Sequence, residues 1–126
     1  MQMLRSEREE ILALQSDERP MILEAVMLQV KPGEAADFEI VFRQASPLIA
    51  AMSGYAGHEL HRCIETTNRY LLLVRWQRLE DHTVGFRESP EYQAWRRLLH
   101  HFYDPFPVVE HFEQVSLSDG QRENPS

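Results

Sequence analysis

The chain has 126 residues, a length that suits one domain and leaves little for a second. Its formal net charge of −7 argues against nucleic acid or an anionic membrane as a partner. The single cysteine, Cys63, excludes an internal disulfide and fits a reducing compartment. No apolar run approaches the roughly 20 residues of a membrane helix, and the acidic, mixed N-terminus does not resemble a signal peptide. The expected location is cytoplasmic.

Two changes of composition predict where the structured domain begins and ends. Residues 1–20 carry a few apolar side chains among many charges and end in Asp17-Glu-Arg-Pro20, so we expect an N-terminal extension. Residues 116–126 are polar, which predicts a disordered C-terminal tail. The predicted domain therefore spans residues 21–115.

The first part of that domain is predicted to be a strand followed by a helix. The segment from Met21 to Val30 favours a strand, and the turn signal Lys31-Pro-Gly33 stops it. From Glu34 onward, apolar residues recur at the spacing of one helix face. These residues are Phe38, Val41, Phe42, Ala45, Ile49 and Met52.

A β-hairpin is predicted next. The turn Ser53-Gly-Tyr-Ala-Gly57 precedes a strand from His58 to Ile64, and Glu65-Thr-Thr-Asn68 connects that strand to another. The segment from Tyr70 to Trp76 is almost unbroken in apolar residues, which is typical of a strand buried on both faces. Because the connection is short, the two strands should pair antiparallel.

The last predicted elements are a helix and a strand. After a short helix start at Leu79-Glu-Asp-His82, Ser89 is a favourable N-cap with Pro90 at the first helical position. Asp104-Pro-Phe-Pro107 ends this helix, and a strand is predicted from Val108 to Val115. The order β-α-β-β-α-β indicates an α+β, ferredoxin-like fold with an antiparallel four-stranded sheet.

This fold leaves one face of the sheet without helices. On the strand from Tyr70 to Trp76 both faces are apolar, with Tyr70, Leu72, Val74 and Trp76 on one side and Leu71 and Leu73, joined by Arg75, on the other. An apolar face needs a cover, which for a small chain is most simply the same face of a second copy. We therefore expect a homodimer through the sheet faces.

The order of four motifs resembles the antibiotic biosynthesis monooxygenase (ABM) domain family. They are the turn Ser53–Gly57, the strand that ends in Trp76, the helix start Leu79–His82 and the motif Ser89-Pro-Glu-Tyr92. The resemblance covers roughly Ile22 to Val115. It implies a dimeric α+β barrel with a pocket between the sheet and the helices of each protomer. Some members of the family oxidise polycyclic phenols without metal or flavin, others degrade haem, and some isomerise small signalling molecules.

The resemblance favours a cofactor-independent monooxygenase that acts on a small aromatic or quinol-like substrate, with no cofactor expected. Trp76 matches a tryptophan that lines the pocket of phenol oxidisers and haem degraders. Haem degraders carry an asparagine where Val26 lies and a haem-binding histidine where this chain has Trp95 and Arg96, which disfavours haem degradation. A non-catalytic or isomerase-type dimer that binds a small molecule remains the alternative.

A cofactor-free oxygenase needs an apolar pocket, a base for a phenolic proton and groups that stabilise the resulting anion. His82 is the candidate base, because histidine titrates near neutrality. Arg75 and Arg96 are candidates for holding the anionic oxygen, although a structural ion pair of Arg75 with Glu59 or Glu113 is equally open. The candidate catalytic residues are thus His82, Trp76 and Arg75, and the candidate substrate-binding residues are Phe42, Phe86, Tyr92, Trp95 and Arg96.

Two groups of histidines invite a metal-site interpretation, which the spacing disfavours. On the predicted hairpin strand, His61 and Cys63 share one face while His58 points to the other, so too few ligands converge. His100 and His101 are adjacent on a helix and point about 100° apart. No metal site is expected, and Cys63, which has no evident base beside it, is expected to be inert.

Overall fold

Residues 21–117, which a computed structural model describes, fold into a four-stranded antiparallel sheet with two α-helices packed on one face. The elements are β1 (Ile22–Gln29), α1 (Ala35–Ala50), β2 (Tyr55–Arg62), β3 (Arg69–Trp76), α2 (Pro90–Leu99) and β4 (Val109–Glu113). The strands lie in the order β2-β3-β1-β4. The predicted ferredoxin-like α+β fold is confirmed. The predicted N-terminal extension and the tail beyond residue 117 lie outside the described residues.

Alternation along the strands sorts side chains between the two faces of the sheet. On β3, every second residue from Tyr70 to Trp76 is buried toward the helices, and the residues between them are partly exposed. We call the helix-covered face the inner face and the opposite one the outer face. β1 lies between β3 and β4, so its Glu24 is directly opposite Val74 on one side and His111 on the other. The inner face therefore carries a polar pair, with Glu24 on an inner strand and His111 on an edge strand.

Both helices pack on the inner face through the apolar positions that their spacing predicts. The buried residues of α1 are Phe38, Phe42, Ala45 and Ile49. α2 begins as predicted, because the Ser89 hydroxyl accepts a hydrogen bond from the Tyr92 backbone N–H at 3.0 Å and Pro90 takes the first helical position. Among residues 21–117, no helix is long and apolar enough to cross a membrane.

The second strand begins earlier than predicted. We predicted a turn through Gly57 and a strand from His58, whereas β2 begins at Tyr55. The chain has completed its turn at Gly54, whose φ of +84° favours glycine. Gly57, with φ +136°, lies inside β2 where the register with β3 shifts, so it is part of a strand irregularity and not of the turn.

The last strand is shorter than the predicted segment from Val108 to Val115. In the structure, Glu113 is the last residue of β4 and pairs with Ile22, the first residue of β1. β4 ends there because β1, its partner strand within residues 21–117, begins at that point.

A wide helical turn, Asp81–Phe86, connects β3 to α2. Its geometry is π-helical, with a hydrogen bond of 3.2 Å from the Arg87 N–H to the His82 carbonyl. The turn packs closely against the start of the hairpin, since a Cβ atom built on Gly54 would lie 1.9 Å from a carboxylate oxygen of Asp81. Both this close approach to Asp81 and the positive φ favour glycine at position 54.

Candidate functional site

A cavity of about 380 Å³ lies between the inner face of the sheet, the wide turn and α2. Its volume falls within the range of small-molecule pockets. Most of its wall is apolar or aromatic, including Val26, Leu28 and Leu72 of the sheet. The polar side chains that line it are Glu24, His82, Arg87, Tyr92, His100 and Tyr103.

Glu24 places a buried carboxyl in the wall of this cavity. Only 5% of the residue is exposed, and the buried residues Val26 and Leu28 follow it along the inner face of β1. The indole Nε1–H of Trp76 donates a hydrogen bond of 2.9 Å to Oε1. Burial raises the pKa of Glu24 to about 7, against the lowering effects of that hydrogen bond and of the Arg87 charge. The carboxyl therefore exchanges between its acid and base forms near neutral pH.

The imidazole of His82 stacks on the Trp76 indole, with ring centroids 5.5 Å apart and planes at 23°. Its Nδ1 shares a hydrogen bond of 2.8 Å with Nε2 of His111, and its Nε2 lies 3.5 Å from Oε1 of Glu24. Burial, followed by the charges of Arg87 and His111, lowers the pKa of His82 to about 3. The ring is therefore neutral at physiological pH, with one nitrogen as donor and the other as acceptor.

The strand register explains why these groups meet. Glu24 and His111 are directly paired across β1 and β4, and Trp76 lies on the same face, two residues further along β3 than Val74, the partner of Glu24 on that strand. The wide turn that follows β3 then brings His82 back over Trp76. We call Glu24, Trp76, His82 and His111 the inner polar cluster.

Comparison with known proteins identifies the family. The family model described as Antibiotic biosynthesis monooxygenase matches residues 21–98. The chain belongs to the antibiotic biosynthesis monooxygenase family. The resemblance identified from its sequence motifs is confirmed.

Three relatives show how far this family likeness extends. The uncharacterized protein YczJ of Bacillus subtilis strain 168 is 58% identical over 95 residues, which are 75% of this chain and 100% of YczJ. The crystal structure of a candidate antibiotic biosynthesis monooxygenase from Bordetella bronchiseptica has 40% identity and a TM-score of 0.74, over 78% of this chain and 100% of that one. SnoaB, a cofactor-independent oxygenase from Streptomyces nogalater, has 21% identity and a TM-score of 0.60, over 79% and 99% of the two chains. At that identity, the SnoaB likeness establishes the fold.

Several predicted site residues of this family member meet at the cavity. His82 lines it, as do the predicted substrate-binding residues Phe86, Tyr92 and Trp95. Trp76 is completely buried and reaches the site through its hydrogen bond to Glu24 and its stacking on His82. The predicted neighbourhood of Trp76 and His82 is thus present, although His82 is buried and not at the surface as its place near a helix start would suggest.

Three other predicted site residues lie away from the cavity. Arg75 points to the outer face, where its Nη1 lies 3.2 Å from Oε2 of Glu59, so the ion-pair alternative is the one observed. Arg96 is exposed on α2 and does not line the cavity. Phe42 contacts Trp95 with ring centroids 5.6 Å apart, but it faces a separate groove between α1 and β2.

Sequence reasoning missed several polar residues of the site, namely Glu24, Arg87, His100, Tyr103 and His111. For Glu24 a signal was available, because it lies two residues before Val26 in a predicted strand and must share the buried face. A carboxylate in that position marks a candidate site. His111 also alternates inward on its strand, but its pairing with Glu24 depends on a long-range strand order that no local pattern reveals.

Within residues 21–117, no group of three or more His, Cys, Asp or Glu side chains is arranged to hold a metal ion. Glu24, His82 and His111 are the nearest approach to such a group. His82 presents a different ring nitrogen to each of the other two, so the three side chains do not converge on one point.

Proposed function

We propose that this protein is a cofactor-independent monooxygenase that oxidises a small aromatic or quinol-like substrate with O2. The observation that supports the proposal is the Glu24 carboxyl, with its pKa of about 7, in the wall of a largely apolar cavity. A general base is most effective when its pKa lies near the working pH. Membership of the antibiotic biosynthesis monooxygenase family supports the same class of reaction.

Glu24, and not His82, is the base in this proposal. The His82 imidazole, with a pKa of about 3, is too weak a base to retain a substrate proton at neutral pH. The neutral ring instead orients the carboxyl from 3.5 Å, while the Trp76 N–H holds Oε1 at 2.9 Å. His82 and Trp76 are therefore positioning residues for Glu24.

The reaction needs no reductant when the substrate carries an acidic CH2 group, as an anthrone does. The Glu24 carboxylate removes a proton, and the resulting delocalised anion transfers one electron to O2. The substrate radical and superoxide then combine into a peroxide, which takes the proton back from Glu24. Loss of the second C–H proton and cleavage of the O–O bond leave one oxygen atom as a new carbonyl and release the other as water. The four-electron oxidation of CH2 to C=O balances the four-electron reduction of O2.

Arg87 is the cation that the proposal assigns to the substrate anion. It lines the cavity from an exposed position, and its charge lowers the pKa of both Glu24 and His82. Among residues 21–117, no acidic side chain forms an ion pair with Arg87, so its charge is available to a ligand. This role replaces the one predicted for Arg75 and Arg96, which lie outside the cavity.

The test is oxygen uptake by purified, metal-stripped protein with an anthrone, a hydroquinone and a flavonol. We expect uptake above the autoxidation blank with at least one of them, unaffected by a chelator. With 18O2, the oxidised product should gain one labelled atom and water the other. Absence of uptake with all three substrates, or uptake that appears only after a metal is added, would overturn the proposal. Ligand binding without uptake would favour the non-catalytic alternative.

We also propose that the protein is a homodimer joined through the outer face of the sheet. That face carries apolar side chains which remain half-exposed in the single chain, such as Met27 (52%) and Phe112 (49%). Leu71 and Leu73 of β3 lie on the same face between the neighbouring strands. Half-exposed apolar side chains that share one face of a sheet favour an interface there.

A further inference from the structure

We propose that Glu24, His82 and His111 form a proton relay between the cavity and the edge of the sheet, with His111 at the end nearer to solvent. The relay rests on the proposed function, in which Glu24 is the base, and it assigns a role to His111, which does not line the cavity. Such a path allows Glu24 to exchange protons with solvent while a ligand fills the cavity. His111 is then a positioning and proton-transfer residue that touches no substrate.

The three side chains form a continuous path that becomes more exposed along its length. Oε1 of Glu24 lies 3.5 Å from Nε2 of His82, and Nδ1 of His82 lies 2.8 Å from Nε2 of His111. Glu24 and His82 are buried, whereas His111 is half-buried on β4, which is an edge strand of the sheet. Each neutral imidazole can accept a proton at one nitrogen while releasing one from the other.

Two arrangements of the protons fit these contacts. When Glu24 is ionised, its charge favours a proton on Nε2 of His82, whose Nδ1 then accepts from Nε2–H of His111. When Glu24 is protonated, its O–H faces Nε2 of His82, and Nδ1–H of His82 donates to Nε2 of His111. A proton that enters at Nδ1 of His111 converts the first arrangement into the second. Both rings change tautomer, and neither becomes charged.

The charged and titratable groups around the relay come from the segment after the wide turn, the cavity wall and the neighbouring strands. Arg87, which directly follows the wide turn, is a cation that acts on all three relay groups: after burial, its charge lowers the pKa of His82 and of His111, and it opposes the rise that burial causes in the pKa of Glu24. Burial raises the pKa of Tyr103 and lowers that of His100, so at neutral pH both face the cavity uncharged. β3 contributes the uncharged Trp76 indole, and on β4 the exposed Glu113 follows two residues after His111.

NMR of the 15N-labelled full chain tests the relay without any substrate. The Trp76 indole N–H reports the ionisation of Glu24 through their hydrogen bond, and the ring nitrogens of His82 and His111 report their tautomers. Between pH 5 and 9 we expect all three signals to change with one midpoint near pH 7, the pKa of Glu24. Both rings should remain neutral through that transition. A Trp76 signal that titrates while the His82 ring does not, or no titration of Trp76 at all, would overturn the relay.

Two variants separate a relay from a simple packing role. Glu24→Gln should abolish the tautomer change of both histidines. His111→Gln can still hydrogen-bond Nδ1 of His82 but cannot pass a proton on. In it, exchange of the His82 ring proton with water should slow about tenfold, equivalent to a barrier raised by about 1.4 kcal/mol. An unchanged exchange rate in a folded His111→Gln protein would contradict the role of His111 as the group through which the relay exchanges protons with solvent. None of these readouts needs turnover, so a failed oxygen-uptake assay and a failed relay are separate results.

Discussion

Two glutamates of one sheet, one on each face, behave as chemically different groups. Glu24 on the inner face accepts a hydrogen bond from Trp76, and burial raises its pKa to about 7. Glu59 on the outer face contacts His61 at 2.7 Å and Arg75 at 3.2 Å. These two partners, His61 first, lower the pKa of Glu59. The face onto which strand alternation turns a carboxylate thus decides whether it can serve as a base near neutral pH.

Removing each carboxylate in turn gives the largest expected contrast. For any substrate that the protein oxidises, Glu24→Gln should lower kcat by about 10²–10⁴-fold, which is the contribution of a positioned general base. Glu59→Gln, the matched control on the outer face, should leave kcat within about twofold, since surface charges far from the reacting atoms contribute little. Oxygen-electrode kinetics measure both. Equal losses in the two variants would remove Glu24 from the mechanism.

The proposed role of the outer face as the dimer interface can be tested by placing a charged side chain within it. Leu73→Asp would bury a carboxylate without a partner in the proposed dimer, so we expect dimer affinity to fall by about 100-fold or more. Ile40→Asp is the control, because Ile40 is 51% exposed on α1 and lies outside the sheet. Sedimentation at micromolar concentration distinguishes the species. A wild-type protein that sediments as a monomer would refute the dimer directly.

The pH dependence of stability should differ in sign for the two glutamates. The pKa of Glu24 rises from 4.5 to about 7 on folding, so the folded state retains a proton that the unfolded state loses in this window. Its contribution to the free energy of unfolding therefore falls as pH rises through the window, by on the order of 3 kcal/mol. For Glu59, whose pKa is lowered on folding, the stabilising contribution is present above pH 4.5 and is lost as pH falls.

Urea unfolding at pH 5 and pH 8 measures this difference. Glu24→Gln should be relatively more stable at pH 8 than the wild type, while Glu59→Gln should show no such gain. The lowered pKa of His82 acts in the opposite direction to Glu24, but it is common to all three proteins and cancels in the comparison. A wild-type profile parallel to that of Glu24→Gln would mean that Glu24 titrates at its ordinary pKa.

The smallest expected effect comes from removing the charge of Arg87, which acts on Glu24. The Arg87 charge lowers the pKa of Glu24, so Arg87→Gln should raise that pKa. The part of the pH profile in which kcat/KM increases with pH should then move to higher pH. Because Arg87 is exposed and its charge is screened, we expect a shift of less than about one pH unit. Arg97→Gln, another exposed arginine, should leave that part of the profile in place. A shift of equal size in both variants would indicate net charge and not proximity.

Local sequence patterns predicted the fold because each element carries its own signal. Ser89 and Pro90 mark the start of α2, and the run from Tyr70 to Trp76 marks β3, so neither depends on distant residues. The predicted start of β2 is wrong because the local pattern places Gly57 in the turn. A glycine with positive φ serves a turn and a strand irregularity equally well, and only the register against β3 distinguishes them.

The candidate site was only partly predictable, because its chemistry comes from long-range pairing. His82 could be named from its residue type, but its burial depends on the wide turn that folds it over Trp76. The low pKa that follows from burial makes His82 a poor base, which is why the proposed mechanism uses Glu24 instead. Arg75 was assigned to the site although strand alternation already turned it outward with Leu73.

The close contact between Gly54 and Asp81 has a consequence for redesigning the cavity. A side chain at position 54 would collide with the side chain of Asp81, the first residue of the turn that carries His82, so Asp81 would have to shift. Mutational libraries aimed at new substrates should therefore leave this glycine unchanged and vary the cavity wall at Phe106 and Pro107, which lie on another segment of the chain. Changes at Phe106 and Pro107 would reshape the cavity wall while the turn that carries His82 and the strand that carries Glu24 keep their sequence.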